Sequence, residues 1–173
     1  CSGTGNGFSL NTDVVSFTTL GPPPANDNCT GATVVTCGTL YTGSTVNATN
    51  EVLPAVSCGG IDNTANGFYK GVWFRYTPTS SGEVLISSCG QSNYDSYLRV
   101  YTGTGCGAIT ACVGYDNSGC GLMFGPAAMI LNVTAGTTYY ILLGGYDNSI
   151  FSYGKYSLQI TCPSSCNITT SID

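Results

Sequence analysis

Gly71-Val72-Trp73-Phe74-Arg75-Tyr76-Thr77 decides the fold class. Val72, Phe74 and Tyr76 fall on one face and Trp73 and Arg75 on the other. A period of two is that of a β-strand. The segment is closed off by a turn at 78–82, and a second strand follows at 83–88. Working outward, stretches of the same length and punctuation recur at 32–36, 39–48, 96–101, 109–113, 129–133, 138–144 and 155–162. That makes about nine strands at the spacing of an antiparallel sandwich. No helical period survives two turns, and a parallel sheet would need crossover helices for which there is no room. The chain is therefore expected to be all-β.

Composition narrows the chemistry. Of 173 residues only 4 are Lys or Arg and 9 are Asp or Glu, and there is no histidine. So few cations cannot form the basic patch that nucleic acid requires. Without histidine, Ser-His-Asp and Cys-His relays and His-ligated metals are excluded. Glycoside hydrolysis would need two acids facing each other across a cleft. The acids here are scattered, mostly in turns, so no enzyme is expected. No apolar run reaches the ~18 residues of a membrane span. Ten cysteines without a C-x2-C pair point to disulfides and an oxidising compartment.

Two flanks stand outside the strand pattern. Gly21-Pro22-Pro23-Pro24 reads as a stiff polyproline spacer, a hinge. Upstream, residues 1–20 form an extended arm. Phe8, Leu10 and Val14 lie on one alternating face, Val15 and Phe17 on a second after a register shift, and Leu20 ends the arm. Residues 163–173 are a matching tail. A single strand on a proline hinge does not hold itself in water, so the arm must pack on its own sandwich or on a neighbouring copy. The spacer leads away from residues 25–162, which favours the neighbour. Cys1-Ser2-Gly3 also looks like the start of a mature lipoprotein, with a lipid on Cys1, or is simply a disulfide cysteine near a fragment end.

Residues 25–162 resemble the bacterial pre-peptidase C-terminal type of domain, in the cysteine-rich version of secreted Bacteroidetes-type surface proteins. The resemblance rests on Asn26-Asp27-Asn28-Cys29, Thr36-Cys37-Gly38, the 71–77 strand and Ser88-Cys89-Gly90. It continues through Tyr94-Asp95-Ser96-Tyr97-Leu98-Arg99-Val100-Tyr101-Thr102-Gly103, the run 133–145, and Tyr156-Ser157-Leu158-Gln159-Ile160-Thr161-Cys162. It implies a jelly-roll-like β-sandwich and a secreted, non-catalytic module. Val15-Ser16-Phe17-Thr18-Thr19 is similar to the last strand of a fibronectin type III domain.

Ten cysteines admit too many pairings to deduce one set. Placement on the expected strands suggests Cys106 with Cys112, Cys89 with Cys120, Cys37 with Cys58, and Cys29 with Cys162. That leaves Cys1 and Cys166 to pair with each other or between subunits. Gly-Tyr-Asp-Asn-Ser occurs twice, at 114–118 and 145–149. Asp-rich turns can serve calcium, with Asp95 and Asp116 the best candidates, or can simply be Asx turns. No other cofactor is expected. The many tyrosines could stack sugars, but on alternating strands they read first as core. Sequons at Asn28, Asn47, Asn132 and Asn167 are candidate glycosylation sites.

Two functions follow. The first is a structural subunit of a bacterial extracellular filament or surface array, a head-to-tail homopolymer in which residues 8–20 of one copy add a strand to the next. Thirteen extended residues reach roughly 40 Å. The alternative is a non-catalytic accessory module that binds carbohydrate or protein for a larger secreted enzyme or adhesin.

Overall fold

A computed structural model describes residues 21–50, 52–56, 58, 69–121, 124–147 and 150–162. Nine strands lie among the described residues: β1 (Thr33–Val35), β2 (Leu40–Ser44), β3 (Tyr69–Tyr76), β4 (Gly82–Ser87), β5 (Ser96–Gly103), β6 (Ile109–Asp116), β7 (Ala128–Val133), β8 (Tyr139–Gly145) and β9 (Lys155–Thr161). They form two sheets, β1-β3-β8-β5-β6 and β2-β9-β4-β7. The all-β sandwich is thus as expected. The arm residues Phe8 to Leu20 and the tail lie outside the described residues.

One edge departs from the antiparallel expectation. β1 pairs with β3 in parallel, Val34 opposite Arg75. The chain leaves β1 for the other sheet and returns through residues 45–68. That connection is long enough to reverse direction, which a tight hairpin is not. β2 is also shorter than the predicted 39–48. Thr45 turns inward, and its amide donates to the Gly154 carbonyl at 2.9 Å.

Side chains from both sheets fill the interior: Val72, Phe74 and Tyr76 from β3, Leu98 and Val100 from β5, Ile86 from β4, Leu158 and Ile160 from β9. The alternate face of β3 is not simply solvated. Trp73 is buried with Tyr97, Tyr101, Tyr140 and Leu142 in a second apolar cluster, on the outer side of the five-stranded sheet. Cys29, Leu53, Val56 and Cys58 pack over it. Arg75, from the same face, is exposed.

The disulfides explain how that cover is held, and they correct three expected pairings. Cys29 bonds Cys106 and Cys58 bonds Cys112, clamping the covering segment to the β5–β6 hairpin. Cys37 bonds Cys162, joining the end of β1 to the end of β9. Cys89 bonds Cys120, the pairing that strand placement suggested. Cys106 lies in the β5–β6 turn and Cys112 on bulged β6, and each bonds separately to the cover. Proximity in sequence misleads because the cover folds back across the outer face. Cys1 and Cys166 lie outside the described residues.

Entry into the sandwich is bolted at Asn26 and Asp27, both buried. The Trp73 amide donates to the Asn26 carbonyl at 2.8 Å, and Asn26 Nδ2 donates to the Trp73 carbonyl at 3.0 Å. The Asp27 carboxylate accepts from the Thr49 amide at 2.7 Å and the Thr49 hydroxyl at 2.8 Å. Pro22 and Pro23 of the spacer are exposed. Gly21 lies against the Asn47 side chain, which a Cβ there would meet at 2.8 Å.

Candidate functional site

The twice-repeated pentapeptide separates into two roles. Asp116 ends β6, and its Oδ2 accepts from the amides of Ser118 at 3.0 Å, Gly119 at 2.7 Å and Ala128 at 3.0 Å. That carboxylate shapes the turn and ties β6 to the start of β7. Backbone N–H groups are aimed at it, the opposite of a cation's surroundings. Its counterpart Asp147, after β8, faces a cleft and accepts from the Ser152 hydroxyl at 2.5 Å.

Asp95 lies in the same cleft as Asp147. Residues from three parts of the chain line it: 92–95 before β5, 124–126 before β7, and Asp147, Phe151 and Ser152 after β8. They are laced by backbone bonds. The Asp95 amide donates to the Phe151 carbonyl at 3.1 Å, and the Tyr146 amide to the Asp95 carbonyl at 3.2 Å. Gly145 permits this crossing, since a Cβ there would collide with the Ser152 backbone. The Cys89–Cys120 bridge anchors the chain four residues before Phe124. Beside it a buried hydroxyl knot links Ser88 to Ser96 at 2.8 Å and Ser96 to the Ala127 amide at 2.9 Å.

The cleft holds about 660 Å³. Tyr94 lies buried beneath it, while Phe124 and Phe151 stand 74% and 73% exposed at its lips. Asp95 Oδ1 is buried without a hydrogen-bond partner. Burial, with the Asp147 charge nearby, raises the Asp95 carboxyl to about 6. Among the described residues no group of three metal-ligating side chains exists. The structure brings Asp95 together with Asp147 and gives Asp116 other work.

Neither lip phenylalanine was singled out in the sequence. Phe124 follows an apolar Leu122-Met123 pair and precedes Gly125-Pro126, which reads as a turn, and Phe151 follows the second pentapeptide. The tyrosines are chiefly core, as alternation indicated. Tyr76, Tyr94, Tyr97, Tyr101, Tyr139, Tyr140 and Tyr156 are all buried. Asn28 and Asn132 are exposed, Asn47 is half-buried, and Asn167 lies outside the described residues.

The four edge strands differ in how they meet solvent. β1 has only three residues and runs into the Cys37–Cys162 bridge. β6 breaks register twice against β5. β2 is polar. β7 (AMILNV) pairs with β4 in unbroken register from Ala128 to Val133 and carries no charge, proline or glycine. On its outward face Ile130 is 62% exposed and stands opposite Leu85, which is 39% exposed.

No family model matches the chain, and no curated protein matches it. Solved structures of similar shape exist. The chain is similar to the pre-peptidase C-terminal domain of collagenase from Bacillus anthracis, at 15% identity over 83% of this chain and 100% of that one, with a TM-score of 0.47. This is the type of domain that the sequence resembles. It is similar to CorA, a surface-associated copper-binding protein of Methylomicrobium album, at 11% identity over 76% of this chain and 98% of that one, with a TM-score of 0.50. It is similar to PliG, a periplasmic lysozyme inhibitor of Aeromonas hydrophila, at 13% identity, 75% and 96% coverage and a TM-score of 0.38. At these identities the likeness is one of fold. Four disulfides among the described residues are characteristic of an extracellular or periplasmic β-domain. No described helix is long and apolar enough to cross a membrane.

Proposed function

We propose that the chain is the repeating subunit of an extracellular filament, joined head to tail by strand addition. The observation that carries this reading is the undefended edge of β7. Natural sheets guard their edges with charges, prolines, bulges or brevity, because an open ladder of N–H and C=O groups templates another strand. β1 is short and β6 is bulged, while β2 and β7 carry no such guard; of these two, β7 is the longer and the more apolar. The incoming strand is the arm, residues 8–20, whose alternation of Phe8, Leu10 and Val14 suits a pleated edge. A fifth strand on β7 would also match the five-stranded sheet opposite.

Strand addition between copies is heterologous, and a heterologous contact that does not close into a ring extends as a filament. The charge pattern supports the same reading. With four cations in 173 residues, few ions have to be desolvated when copies stack. The spacer at 21–24, exposed at Gly21, Pro22 and Pro23, gives the arm a stiff departure from the sandwich. A sugar on Asn132 would project from β7 itself and oppose assembly.

Assembly of the full chain is followed by light scattering and negative-stain microscopy. Ile130→Lys places a charge on the open edge and should abolish polymerisation while leaving the melting temperature in place. Removal of residues 1–20 should do the same. Filaments formed by either variant at the wild-type rate would sink the mechanism.

A further inference from the structure

We propose that the cleft between Phe124 and Phe151 binds an organic cation, an ammonium or guanidinium on a short aliphatic stem, with Asp95 and Asp147 as its counter-charges. The site stands whether or not the chain polymerises.

The cleft combines two features that suit few ligands together. Its lining includes two carboxylates on converging segments, the exposed Asp147 and the deeper Asp95, whose Oδ1 is buried with no hydrogen-bond partner. A buried acceptor of this kind costs free energy until something donates to it. Two exposed phenylalanines, Phe124 and Phe151, line the same cleft. A cation with a hydrocarbon stem satisfies both, donating to the carboxylates while its carbons cover the rings and its charge meets their π faces. A volume of about 660 Å³ lies within the range of small-molecule clefts.

Other ligand classes fit less well. Calcium takes six to eight oxygens, and two phenylalanines supply none. An anion would meet the Asp95–Asp147 pair. A purely apolar group would leave Asp95 Oδ1 buried and unanswered. The Phe124 backbone adds a separate sign, for its φ of 65° lies in the left-handed region that bulky residues avoid. Strain of that kind is retained where surrounding structure over-determines it, often at binding sites. Here it accompanies a ring held outward at the lip.

The test is saturation-transfer difference NMR on the full chain at pH 7.5, with n-butylguanidinium, N-acetyl-arginine-methylamide and the uncharged isostere n-butylurea as probes. Saturable binding of the two cations, at least tenfold tighter than n-butylurea, is expected. The tighter cation identifies the source, a free alkylguanidinium or the arginine side chain of a protein. The Asp95→Asn/Asp147→Asn double variant should weaken cation binding at least tenfold. Phe151→Ala, at a position too exposed to threaten folding, should weaken it severalfold. Equal binding of n-butylurea, full displacement of the probe by equimolar calcium chloride, or unchanged affinity in Phe151→Ala would overturn the proposal.

Discussion

The two sheets of this sandwich are finished in opposite ways. The central strands of the five-stranded sheet, β5 and β8, are buried on both faces. That sheet's outer side carries Trp73, Tyr101 and Leu142 under a segment clamped by Cys29–Cys106 and Cys58–Cys112. The four-stranded sheet has one buried face, and its outer side leaves Leu85 and Ile130 in water beside the open β7 edge. The difference teaches where the molecule commits its covalent bonds. Two of the four staples hold the cover that closes one sheet, while the outer face of the other leaves apolar side chains in water.

That contrast can be broken most severely at Trp73. Trp73→Ala should destabilise by about 3–5 kcal/mol, because it empties the second cluster under a fixed cover. Leu85→Ala on the opposite sheet's outer face should cost less than about 1 kcal/mol. Denaturant titration of both variants checks the pair, and equal losses would mean the outer cluster is not a core. Next, the Cys58→Ala/Cys112→Ala double variant should lose about 2–4 kcal/mol by releasing the cover. A matching drop in melting temperature, with the far-ultraviolet spectrum retained, is the expected result.

Smaller effects separate the two pentapeptides. Asp116→Ala strips the acceptor from three backbone amides and should cost about 1–3 kcal/mol. Ile130→Lys should change stability by no more than about 0.5 kcal/mol yet stop assembly, a result that scattering reads directly. A further effect is a pH dependence at Asp95. Its folded carboxyl titrates near 6 whereas the unfolded one titrates near 4. The folded state therefore holds the proton more tightly. Its contribution to stability is fully present below about pH 4 and is lost as pH rises through about 6. Among the described residues the charge that acts on Asp95 is Asp147, from the β8–β9 connection. Asp95→Asn should flatten the melting temperature between pH 4 and 6, and an unchanged slope would assign the titration elsewhere.

Much of the fold was legible because strand signals are local. The alternation in Gly71-Val72-Trp73-Phe74-Arg75-Tyr76-Thr77 reports a strand whatever it packs against, and the other eight strands carried similar marks. The parallel β1–β3 edge was not legible, since direction depends on a connection that periodicity does not describe. The disulfide partners were hidden for a similar reason. Cys58 and Cys112 are brought together by a segment crossing an outer face that the sequence marks only as the second side of a strand. The cleft was half legible. Asp95 and the pentapeptide at 145–149 were visible as turns rich in acids, but their convergence, and the phenylalanine lips, arise from three loops meeting at one end of the sandwich.

Read by itself, the chain determined its secondary-structure class, its oxidising compartment and the chemistries closed to it. Those follow from residue type and short-range spacing, which act before any long-range contact forms. Tertiary structure alone decided that one Asp of a repeated motif holds a turn while its twin faces a cleft. It also decided that one sheet is covered and the other open. These are matters of which distant segments meet, and two identical pentapeptides carry no record of their neighbours.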